Sequence, residues 1–460
     1  MQSQAQKQSV LFVAVVSSFL TPYMGSATNV ALPAIQSDFH LDAVTLAWVP
    51  TAYLLSCAVF LVPFGKLADI HGRKRIFIYG IWVFTVSACL TAMAPNTAVL
   101  LIGRAIQGMG SAMVFSTGLA ILTSVFEAHE RGRAMGLTVA SVYIGLCTGP
   151  FFGGVLTQEL NWRAVFASAI PLGIAAIYLA TWKLEGEWAE AKGETLDIIG
   201  SCLYGAAIVL VMYGFSILPS QESLWCILAG LAFIACFILR ERNAVSPVVN
   251  LELFSKNRTF ALSSLAALIN YSATFAVTFM LSLYLQYITG LSPRTSGMVL
   301  MVQPLVMAAV SPYAGKLSDR VQPGKIASLG MAITATGLFT LIFLDYGTSI
   351  AYTVLELIVL GLGFALFSSP NMNAIMSSVD NRFYGIASGA LASMRLLGAM
   401  LSMGIATLVF SLFIGRVPIA PHNYPLLLKS LKTAFTIFGV LCVLGIFASL
   451  ARGKIPRKET

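Results

Sequence analysis

Fourteen long apolar segments, separated by short polar connections, account for most of this chain of 460 residues. A helix that crosses the hydrocarbon core of a membrane needs about 20 mostly apolar residues, and each segment is close to that length or longer. The candidate spans lie near residues 10–34, 46–68, 76–94, 97–122, 133–157, 163–183, 196–216, 223–240, 259–287, 294–318, 325–345, 349–376, 384–413 and 430–451. We therefore predict an all-α membrane protein with 14 transmembrane helices.

The composition agrees with this interpretation. Charged residues make up 10% of the chain and hydrophobic residues 57%, whereas a soluble protein carries about 25% charged residues. This leaves too little polar surface for a soluble enzyme, a nucleic-acid-binding module or a disordered chain. The seven cysteines all lie in apolar stretches without a CxxC pair. We therefore expect no disulfide framework, no metal site and no cofactor.

The distribution of Lys and Arg orients the spans, because these residues are retained in cytoplasmic loops. If the N-terminus is cytoplasmic, most of the basic residues lie in cytoplasmic connections, and the opposite side carries Arg163, Arg294, Arg416, Lys429 and Lys432. An even number of spans places both termini on one side. We expect a multi-pass protein of the cell membrane with cytoplasmic termini, and no nucleic-acid partner.

A short sequence at the end of the second span recurs at the end of the tenth. Residues 63–69 read PFGKLAD, and residues 312–319 read PYAGKLSD. The number of residues between the two copies is nearly the same as the number between the first and ninth spans. We predict two six-helix bundles, residues 1–183 and 259–460, and a linker, residues 184–258, that contains an inserted helix pair. Repeated halves around a central cavity are a recurrent transporter design.

Residues 65–75 read GKLADIHGRKR, which resembles the signature loop between the second and third helices of the major facilitator superfamily. In that family the loop acts as a cytoplasmic latch. The resemblance implies this conformational role for Gly65, Asp69, Gly72 and Arg73, and for Gly315 and Asp319 in the second copy. A basic loop that only stops translocation would explain the arginines, but neither the spacing of Gly and Asp nor the second copy.

The fourth span carries a charge. Its pattern Leu100-(x3)-Arg104-(x2)-Gln107-Gly108-(x)-Gly110 resembles the family's fourth-helix motif, in which an intramembrane Arg takes part in proton coupling. A charge inside the membrane is costly unless it faces a cavity or a partner. We therefore predict a coupling role for Arg104 and Gln107, which share a helix face. An arginine held by backbone carbonyls for packing alone is the alternative.

Residues 145–154 read GLCTGPFFGG and resemble the antiporter motif of the fifth helix, which assigns Gly145, Gly149, Pro150, Gly153 and Gly154 to it. Small residues permit close helix approach, and proline removes an intrahelical hydrogen bond. A bare GxxxG is common in membrane helices, whereas the full string is specific. Residues 48–55 and 283–293 resemble segments of the fourteen-helix drug:proton antiporters, so the resemblance covers most of the chain.

The first span departs from this pattern. These antiporters usually carry an Asp five residues before the Asn of an N-V-A-L-P string, which here occupies residues 29–33. The matching position is Met24, which cannot titrate. Glu356 lies inside the twelfth span and is our candidate for the proton site, since a carboxyl group in a span can bind and release a proton. The alternative is an outer-face Glu that pairs with a cation or contacts water.

Polar and aromatic side chains within spans are candidates for a substrate cavity. Such residues can line a solvated pathway, although Ser and Thr also serve as interhelical contacts. The candidates are Asn29, Tyr53, Asn270, Tyr271, Thr274, Gln303, Asn371 and Arg395.

The resemblance implies a secondary active exporter of amphipathic or lipophilic compounds that works by drug:proton antiport and alternating access. The alternative is an exporter or facilitator of a specific metabolite or lipid, without proton coupling through a first-helix carboxylate. The sequence lacks a nucleotide-binding loop of GxxxxGK[ST] type and has no histidine within a span, so we expect neither an ATP-driven pump nor an enzyme. The expected partners are the lipid bilayer, a small-molecule substrate and protons, and we expect a monomer.

Overall fold

The computed structural model describes residues 4–126, 128–184, 186–189, 191–243, 251–379 and 384–453. Within these ranges the regular elements are all helices. Fourteen of the helical segments are long and apolar enough to cross a membrane. The prediction of an all-α membrane protein with 14 spans is confirmed. The helices extend beyond several of the predicted apolar segments, because helix ends continue into the polar zones on either side of the membrane.

The first six spans are formed by seven helices: α1 (Gln4–Phe39), α2 (Ala43–His71), α3 (Arg73–Ala92), α4 (Thr97–Val125), α5 (Ala128–Glu159), α6 (Trp162–Ala167) and α7 (Ala169–Lys183). The two short helices α6 and α7 together make the sixth span. Side-chain caps explain where several helices begin. The Asp42 carboxylate accepts hydrogen bonds from the backbone N–H groups of Val44 and Thr45, and the Asn96 amide oxygen accepts one from Val99.

The inserted pair comprises α8 (Ile198–Ser216) and α9 (Gln221–Asn243). The rest of the chain contains α10 (Leu251–Lys256), α11 (Arg258–Leu283), α12 (Pro293–Leu300), α13 (Val302–Arg320), α14 (Pro323–Thr340), α15 (Ile350–Ser377), α16 (Tyr384–Phe413) and α17 (Tyr424–Ala451). A π-helical turn, Tyr284–Ile288, extends α11, and α12 and α13 together make the tenth span. The last six spans therefore run from α11 to α17.

The inserted pair contacts both sets of six spans. The Tyr204 hydroxyl on α8 donates a hydrogen bond to the Ala58 carbonyl on α2 at 3.2 Å. The Leu218 carbonyl, in the connection between α8 and α9, accepts one from the Ser411 hydroxyl on α16. The pair thus lies against α2 and α16, where the two sets of spans adjoin.

The two sets of six spans repeat the same local packing. A side chain at Gly65 would contact Ser116 on α4, and one at Gly315 would contact Ser369 on α15. Gly80 on α3 lies against the Gly110 carbonyl on α4, and Gly330 on α14 lies against the Gly363 carbonyl on α15. These equivalent contacts agree with the internal repeat in the sequence.

The start of α1 and the end of α17 lie at the same end of the bundle, because an even number of spans connects them. We call this the terminal end, and the opposite end is called the far end. At the terminal end, the start of α11 lies against the end of α17, where the Thr259 hydroxyl donates a hydrogen bond to the Arg452 carbonyl at 3.0 Å. At the far end, hydrogen bonds join the first six spans to the last six: Ser282 Oγ to Asn29 O at 2.8 Å, Gln286 Nε2 to Val30 O at 3.0 Å, Gln36 Nε2 to Ile419 O at 3.1 Å and Ala43 N to Val417 O at 3.0 Å. The far end is therefore closed.

The outer surface is strongly apolar. Trp182 on α7 and Trp225 on α9 are 74% and 67% exposed. Large exposed apolar side chains would promote aggregation in water, whereas in a bilayer they contact lipid chains of similar polarity. The inserted helix α9 is especially peripheral, with most of its apolar side chains facing outward.

Candidate functional site

The predicted latch lies at the turn between α2 and α3. Gly72 separates the two helices with a φ of 116°, a conformation that favours glycine. Arg73 Nε donates a hydrogen bond to Asp69 Oδ1 at 2.7 Å, and Arg73 Nη1 donates one to Ser124 Oγ on α4 at 2.7 Å. The arginine is almost fully buried, whereas the aspartate side chain is 36% exposed. The hydrogen bond from Arg73 to Ser124 thus attaches the signature loop to α4, and Asp69 stays partly accessible.

Sequence reasoning missed a second layer on this loop, formed by the linker. The Ala191 N–H donates a hydrogen bond to the Asp69 carbonyl at 2.9 Å, and the Arg73 N–H donates one to the Trp188 carbonyl at 2.8 Å. Lys66 Nζ pairs with Glu194 Oε2 at 2.5 Å. The linker residues 186–189 and 191–196 therefore lie along the loop. The only signal in the sequence was the opposite charge of the two segments.

In the second copy of the loop, the described contacts are made by Ser318 and Gly315. The Ser318 hydroxyl accepts a hydrogen bond from Asn373 Nδ2 on α15 at 2.9 Å. Gly315 lies close to Ser369, as described above. The Asp319 side chain lies outside the described part of the structure.

Arg104 occupies a closed site inside the first six spans. It is 1% exposed, and its Nε donates a hydrogen bond to the Val49 carbonyl on α2 at 3.2 Å. Its Nη1 donates one to Gln107 Oε1 at 2.5 Å. The guanidinium carbon lies 4.5 Å from the centre of the Tyr53 ring and 5.7 Å from that of Phe166. The structure thus brings together the predicted residues Arg104, Gln107 and Tyr53.

Arg104 has no carboxylate partner among the described residues. Met24, at the position where the antiporters carry an acid, is completely buried in the core cluster that also contains Tyr53 and Phe166. The Gln107 amide nitrogen is buried and has no hydrogen-bond partner within the described ranges. Aromatic faces and a carbonyl therefore compensate the charge of Arg104, instead of an anion.

The antiporter motif packs α5 against two helices at once. Side chains at Gly145 and Gly153 would lie 2.6 Å from the Phe19 carbonyl and 2.7 Å from the Ala27 carbonyl, both on α1. A side chain at Gly149 would overlap Ser26 and the Tyr23 carbonyl, also on α1. Substitution by any larger residue would push α1 and α5 apart.

The same motif also reaches the last six spans. A side chain at Gly154 would overlap the Pro293 carbonyl at the start of α12, and one at Gly297 on α12 would overlap the Pro150 carbonyl. Pro150 lies within the continuous helix α5. The motif is therefore a contact between the two sets of spans as well as a contact within the first set.

Glu356 lies near the start of α15, at the far end of the bundle, and is 5% exposed. Its Oε2 accepts a hydrogen bond from Thr340 Oγ1 on α14 at 2.6 Å, and the carboxylate lies beside the Tyr352 hydroxyl. Hydroxyl groups are therefore its described partners, not a cation. The structure does not bring Glu356 together with Arg104, since the two lie in different sets of spans with separate partners.

A polar and aromatic cluster lies at mid-membrane between the two sets of spans. Tyr143 on α5 and Ser311 on α13 form a hydrogen bond between their hydroxyl groups at 3.2 Å. The Tyr271 ring on α11 meets Phe364 edge-on at 5.3 Å, and the Arg395 guanidinium carbon lies 5.6 Å from the Tyr271 ring centre. We call these five residues the central cluster. Tyr271 and Arg395 were predicted from sequence, whereas Tyr143, Ser311 and Phe364 were not.

The other predicted cavity residues are dispersed. Asn29 contributes its carbonyl to the far-end closure, and Thr274 donates a hydrogen bond to the carbonyl of Asn270 within α11. Both amide atoms of Asn270 are buried without a hydrogen bond to any described residue. Gln303 is 8% exposed on α13.

Asn371 belongs to a separate buried cluster at the terminal end of the last six spans. Its Oδ1 accepts a hydrogen bond from Arg452 Nη1 at 2.9 Å, and its Nδ2 donates one to the Ser263 carbonyl at 3.1 Å. Burial lowers the pKa of Arg452 to about 10. The structure thus places Asn371 away from the central cluster.

Within the described ranges, no three His, Cys, Asp or Glu side chains lie close enough together to hold a metal ion. The central cluster offers hydroxyl groups for hydrogen bonds, the cation of Arg395 and the aromatic surface of Tyr271 and Phe364.

Comparison with known proteins decides the family. The model of the Major Facilitator Superfamily matches residues 14–403 and, separately, residues 263–460. The chain belongs to this superfamily. It is a secondary transporter and not an enzyme, and it has small-molecule cargo and a bilayer as its surroundings.

Individual relatives of the chain are also transporters, and a solved transporter structure has a similar fold. The chain is 31% identical to the riboflavin transporter RibZ of Clostridioides difficile (strain 630), over 89% of each chain. It is 30% identical to the multidrug resistance protein Stp of Mycobacterium tuberculosis (strain CDC 1551 / Oshkosh), over 86% of this chain and 74% of that one. It is 28% identical to the tetracenomycin C resistance and export protein of Streptomyces glaucescens, over 88% and 76%. The crystal structure of a peptide transporter POT in complex with sulfate superposes with a TM-score of 0.71 at 15% identity, covering 97% of this chain and 96% of that one.

Proposed function

We propose that this transporter is a drug:proton antiporter of the fourteen-helix branch, which exports amphipathic or lipophilic compounds. The observation that carries the proposal is the packing of α5, whose glycines contact α1 on one side and α12 on the other. Small residues let helices slide at close range, so such a helix can keep both contacts while the two sets of spans tilt. The multidrug resistance and tetracenomycin export relatives support an export role.

Transport proceeds by alternating access, with residues 1–183 and 259–460 as the two moving bundles. We place the protein in the cell membrane as a monomer, with both termini in the cytoplasm. In that orientation the far end faces outward, and its hydrogen bonds between Ser282 and Asn29 and between Gln286 and Val30 close the outer gate. Opening outward requires these bonds to break and the signature loop at the terminal end to form new ones. Asp69 is accessible enough to cap a helix end of the other bundle.

We assign proton coupling to Glu356, Arg104 and Gln107. Glu356 is a buried carboxyl group held by a hydroxyl donor. Protonation would remove its charge and reverse the direction of that hydrogen bond, because a protonated carboxyl group can donate. Arg104 and Gln107 form the polar centre of the first bundle, and the unpartnered amide nitrogen of Gln107 can receive a new acceptor when the bundles move.

Two specific observations favour a second function. Met24 replaces the first-helix acid, and the riboflavin transporter is 31% identical. The protein would then carry one metabolite or lipid without coupling through a first-helix carboxylate. Both functions use the same fold, so the dependence of transport on a pH gradient distinguishes them.

The first prediction concerns the latch. In inverted membrane vesicles with an imposed pH gradient, the wild type should accumulate an amphipathic fluorescent dye, and an uncoupler should abolish the accumulation. The Asp69→Asn variant should fall to background while folding normally, because a partly exposed ion pair contributes little to stability. Glu356→Gln should lose the accumulation that the pH gradient drives.

Glu222→Gln is the matched control, since Glu222 is an exposed acid in the first turn of α9, remote from the signature loop. It should transport like the wild type. Accumulation that persists in the presence of the uncoupler would favour the uncoupled alternative. Normal gradient-driven accumulation by Asp69→Asn would refute the latch.

A further inference from the structure

Arg395 is an uncompensated charge inside the membrane. It lies well within α16, away from both helix ends, and is only partly buried. Its Nε is buried without a hydrogen-bond partner, and no ion pair forms between its guanidinium and any described residue. A charge in a membrane span is costly unless it meets a partner, a cavity or water.

Arg395 lies between the two sets of spans. On one side its guanidinium lies over the Tyr271 ring of α11. On another it is near enough to Tyr143 on α5 to interact electrostatically with that hydroxyl. The adjacent residue Leu396 packs against the core of α2 and α8. Because α2 and α5 belong to the first six spans and α11 and α16 to the last six, the charge is located at their interface.

The surroundings of this charge are rich in aromatic groups and hydroxyl groups. Tyr271 meets Phe364 edge-on, and Met307 packs with Tyr143 and Phe364 in one cluster. The Tyr143 hydroxyl is held by Ser311. These groups bind a flat ring well, since rings pack edge-on or offset against each other. They present no negative charge.

Two acids within the spans are engaged away from the central cluster. Glu356 accepts a hydrogen bond from Thr340, and Asp38, at the far end of α1, pairs with Arg163 at 2.7 Å. Neither is available to Arg395, which forms no ion pair with any described residue. No described residue supplies an anion to Arg395, so a ligand can supply one, and the route to a site between the bundles is the one that cargo takes.

We propose that the central cluster binds an aromatic compound carrying a carboxylate or another anionic group. The anion pairs with Arg395, and the ring system lies against Tyr271 and Tyr143. This deepens the proposed transport function, because it rests on cargo being carried between the two bundles. It assigns the anionic and weakly acidic aromatic compounds as the preferred class, ahead of cationic amphiphiles.

The test uses two dyes with the same ring system and opposite charge, fluorescein as the anion and tetramethylrosamine as the cation. Binding to the purified full-length protein in detergent is followed by fluorescence anisotropy. The wild type should bind fluorescein more tightly than tetramethylrosamine. Arg395→Gln should weaken fluorescein binding at least about tenfold and leave the affinity for tetramethylrosamine equal or higher. Arg395→Lys should be intermediate, because the charge remains and the planar fork is lost.

Arg240→Gln is the matched control, because it removes an exposed arginine of α9, remote from the central cluster. It should bind both dyes like the wild type. Equal binding of the two dyes by the wild type, no binding of fluorescein, or equal fluorescein affinity in wild type and Arg395→Gln would each overturn the proposal. If Arg395→Gln does not fold, as judged by its elution profile, the Lys variant and the wild-type dye preference decide.

Binding in detergent needs neither a pH gradient nor net export. A failure of gradient-driven efflux would therefore refute the antiport proposal and leave the dye preference standing. Conversely, a transporter that exports only cationic dyes would retain its export function and lose this assignment.

Discussion

Arg104 and Arg395 are two intramembrane arginines in opposite situations. Arg104 is 1% exposed and is held by the Val49 carbonyl, Gln107 and the Tyr53 ring, all within the first six spans. Arg395 contacts one aromatic ring, has an unpartnered buried Nε, and lies where the two sets of spans meet. The first charge is part of the internal structure of one bundle, whereas the second remains available to a ligand.

A transporter can thus hold two charges in a membrane for two purposes. A charge whose partners all belong to one bundle keeps them in every conformation, because that bundle moves as a unit. A charge between bundles changes its surroundings whenever the bundles tilt, so its free energy depends on conformation and on cargo. The location of a charge relative to the interface therefore separates a charge that is held within one bundle, such as Arg104, from one that cargo can reach, such as Arg395.

The largest expected effect comes from Arg104→Gln. The substitution leaves the Val49 carbonyl without its donor and removes the cation from the Tyr53 and Phe166 rings. We expect the free energy of unfolding to fall by about 2–4 kcal/mol. Intrinsic tryptophan fluorescence, to which Trp162 buried beside Phe166 contributes, reports the unfolding temperature in detergent.

Arg395→Gln is the matched variant for this measurement. Since its guanidinium has no hydrogen bond to a described residue to lose, its stability should change by less than about 1 kcal/mol. Equal destabilisation by the two variants would contradict the contrast between the two arginines, because it would mean that Arg395 also belongs to the internal structure of a bundle.

The next effect tests packing within and between bundles. Ala at Gly149 would overlap Ser26 and the Tyr23 carbonyl, so Gly149→Ala should lower stability by about 1–3 kcal/mol and abolish transport. Gly136 lies on the same helix with open space around it, so Gly136→Ala should be neutral or stabilise by about 0.5–1 kcal/mol. Unfolding temperature and dye accumulation check both variants.

Gly297→Ala extends this prediction to the interface between bundles. Its side chain would overlap the Pro150 carbonyl across that interface, so transport should fail while stability changes less than in Gly149→Ala. A larger stability loss at Gly297 than at Gly149 would contradict the view that the α5 to α12 contact lies between two moving bundles and not within one of them.

Much of the fold followed from the sequence, because the bilayer imposes a strong pattern on it. Each span requires a long apolar run, and only a few polar residues interrupt it. The glycines of α5 also predicted a close helix approach, since glycines repeated on one helix face remove the side chains that keep two helices apart. Their second contact, with Pro293 and Gly297, was not predictable, because the register between α5 and α12 is set by the packing of the two bundles.

The candidate site was less accessible to sequence reasoning. Tyr143 is an ordinary aromatic residue in an apolar span, and its importance arises from Ser311 and Arg395, which lie far away in the chain. Asn371 resembled a cavity residue but interacts with Arg452, whose side chain turns back into the protein from the end of α17. The linker contacts with the signature loop depend on irregular backbone, which has no periodicity to detect.

The smallest expected effect concerns Arg240, an exposed arginine that has the carboxylate partner that Arg104 and Arg395 lack among the described residues. Asp197 caps α8 through the Gly200 N–H at 2.9 Å and accepts hydrogen bonds from Arg240 Nε and Nη2. The Arg240 guanidinium, together with the Gly200 N–H, holds the pKa of Asp197 below its usual value. A depressed pKa means that the pair stabilises the folded state above the usual carboxyl pKa, about 3.9, and that this contribution is lost as the pH falls through the lower folded value.

Asp197→Asn should therefore lower the unfolding temperature only slightly at neutral pH, because water screens the exposed Arg240 and Asn still caps the helix. The difference from the wild type should shrink as the solution is acidified through the folded pKa of Asp197. A difference that stays constant with pH would assign the effect to the cap alone. A loss as large as that of Arg104→Gln would show that an exposed paired arginine matters as much as a buried one, so burial and location would no longer rank the three arginines.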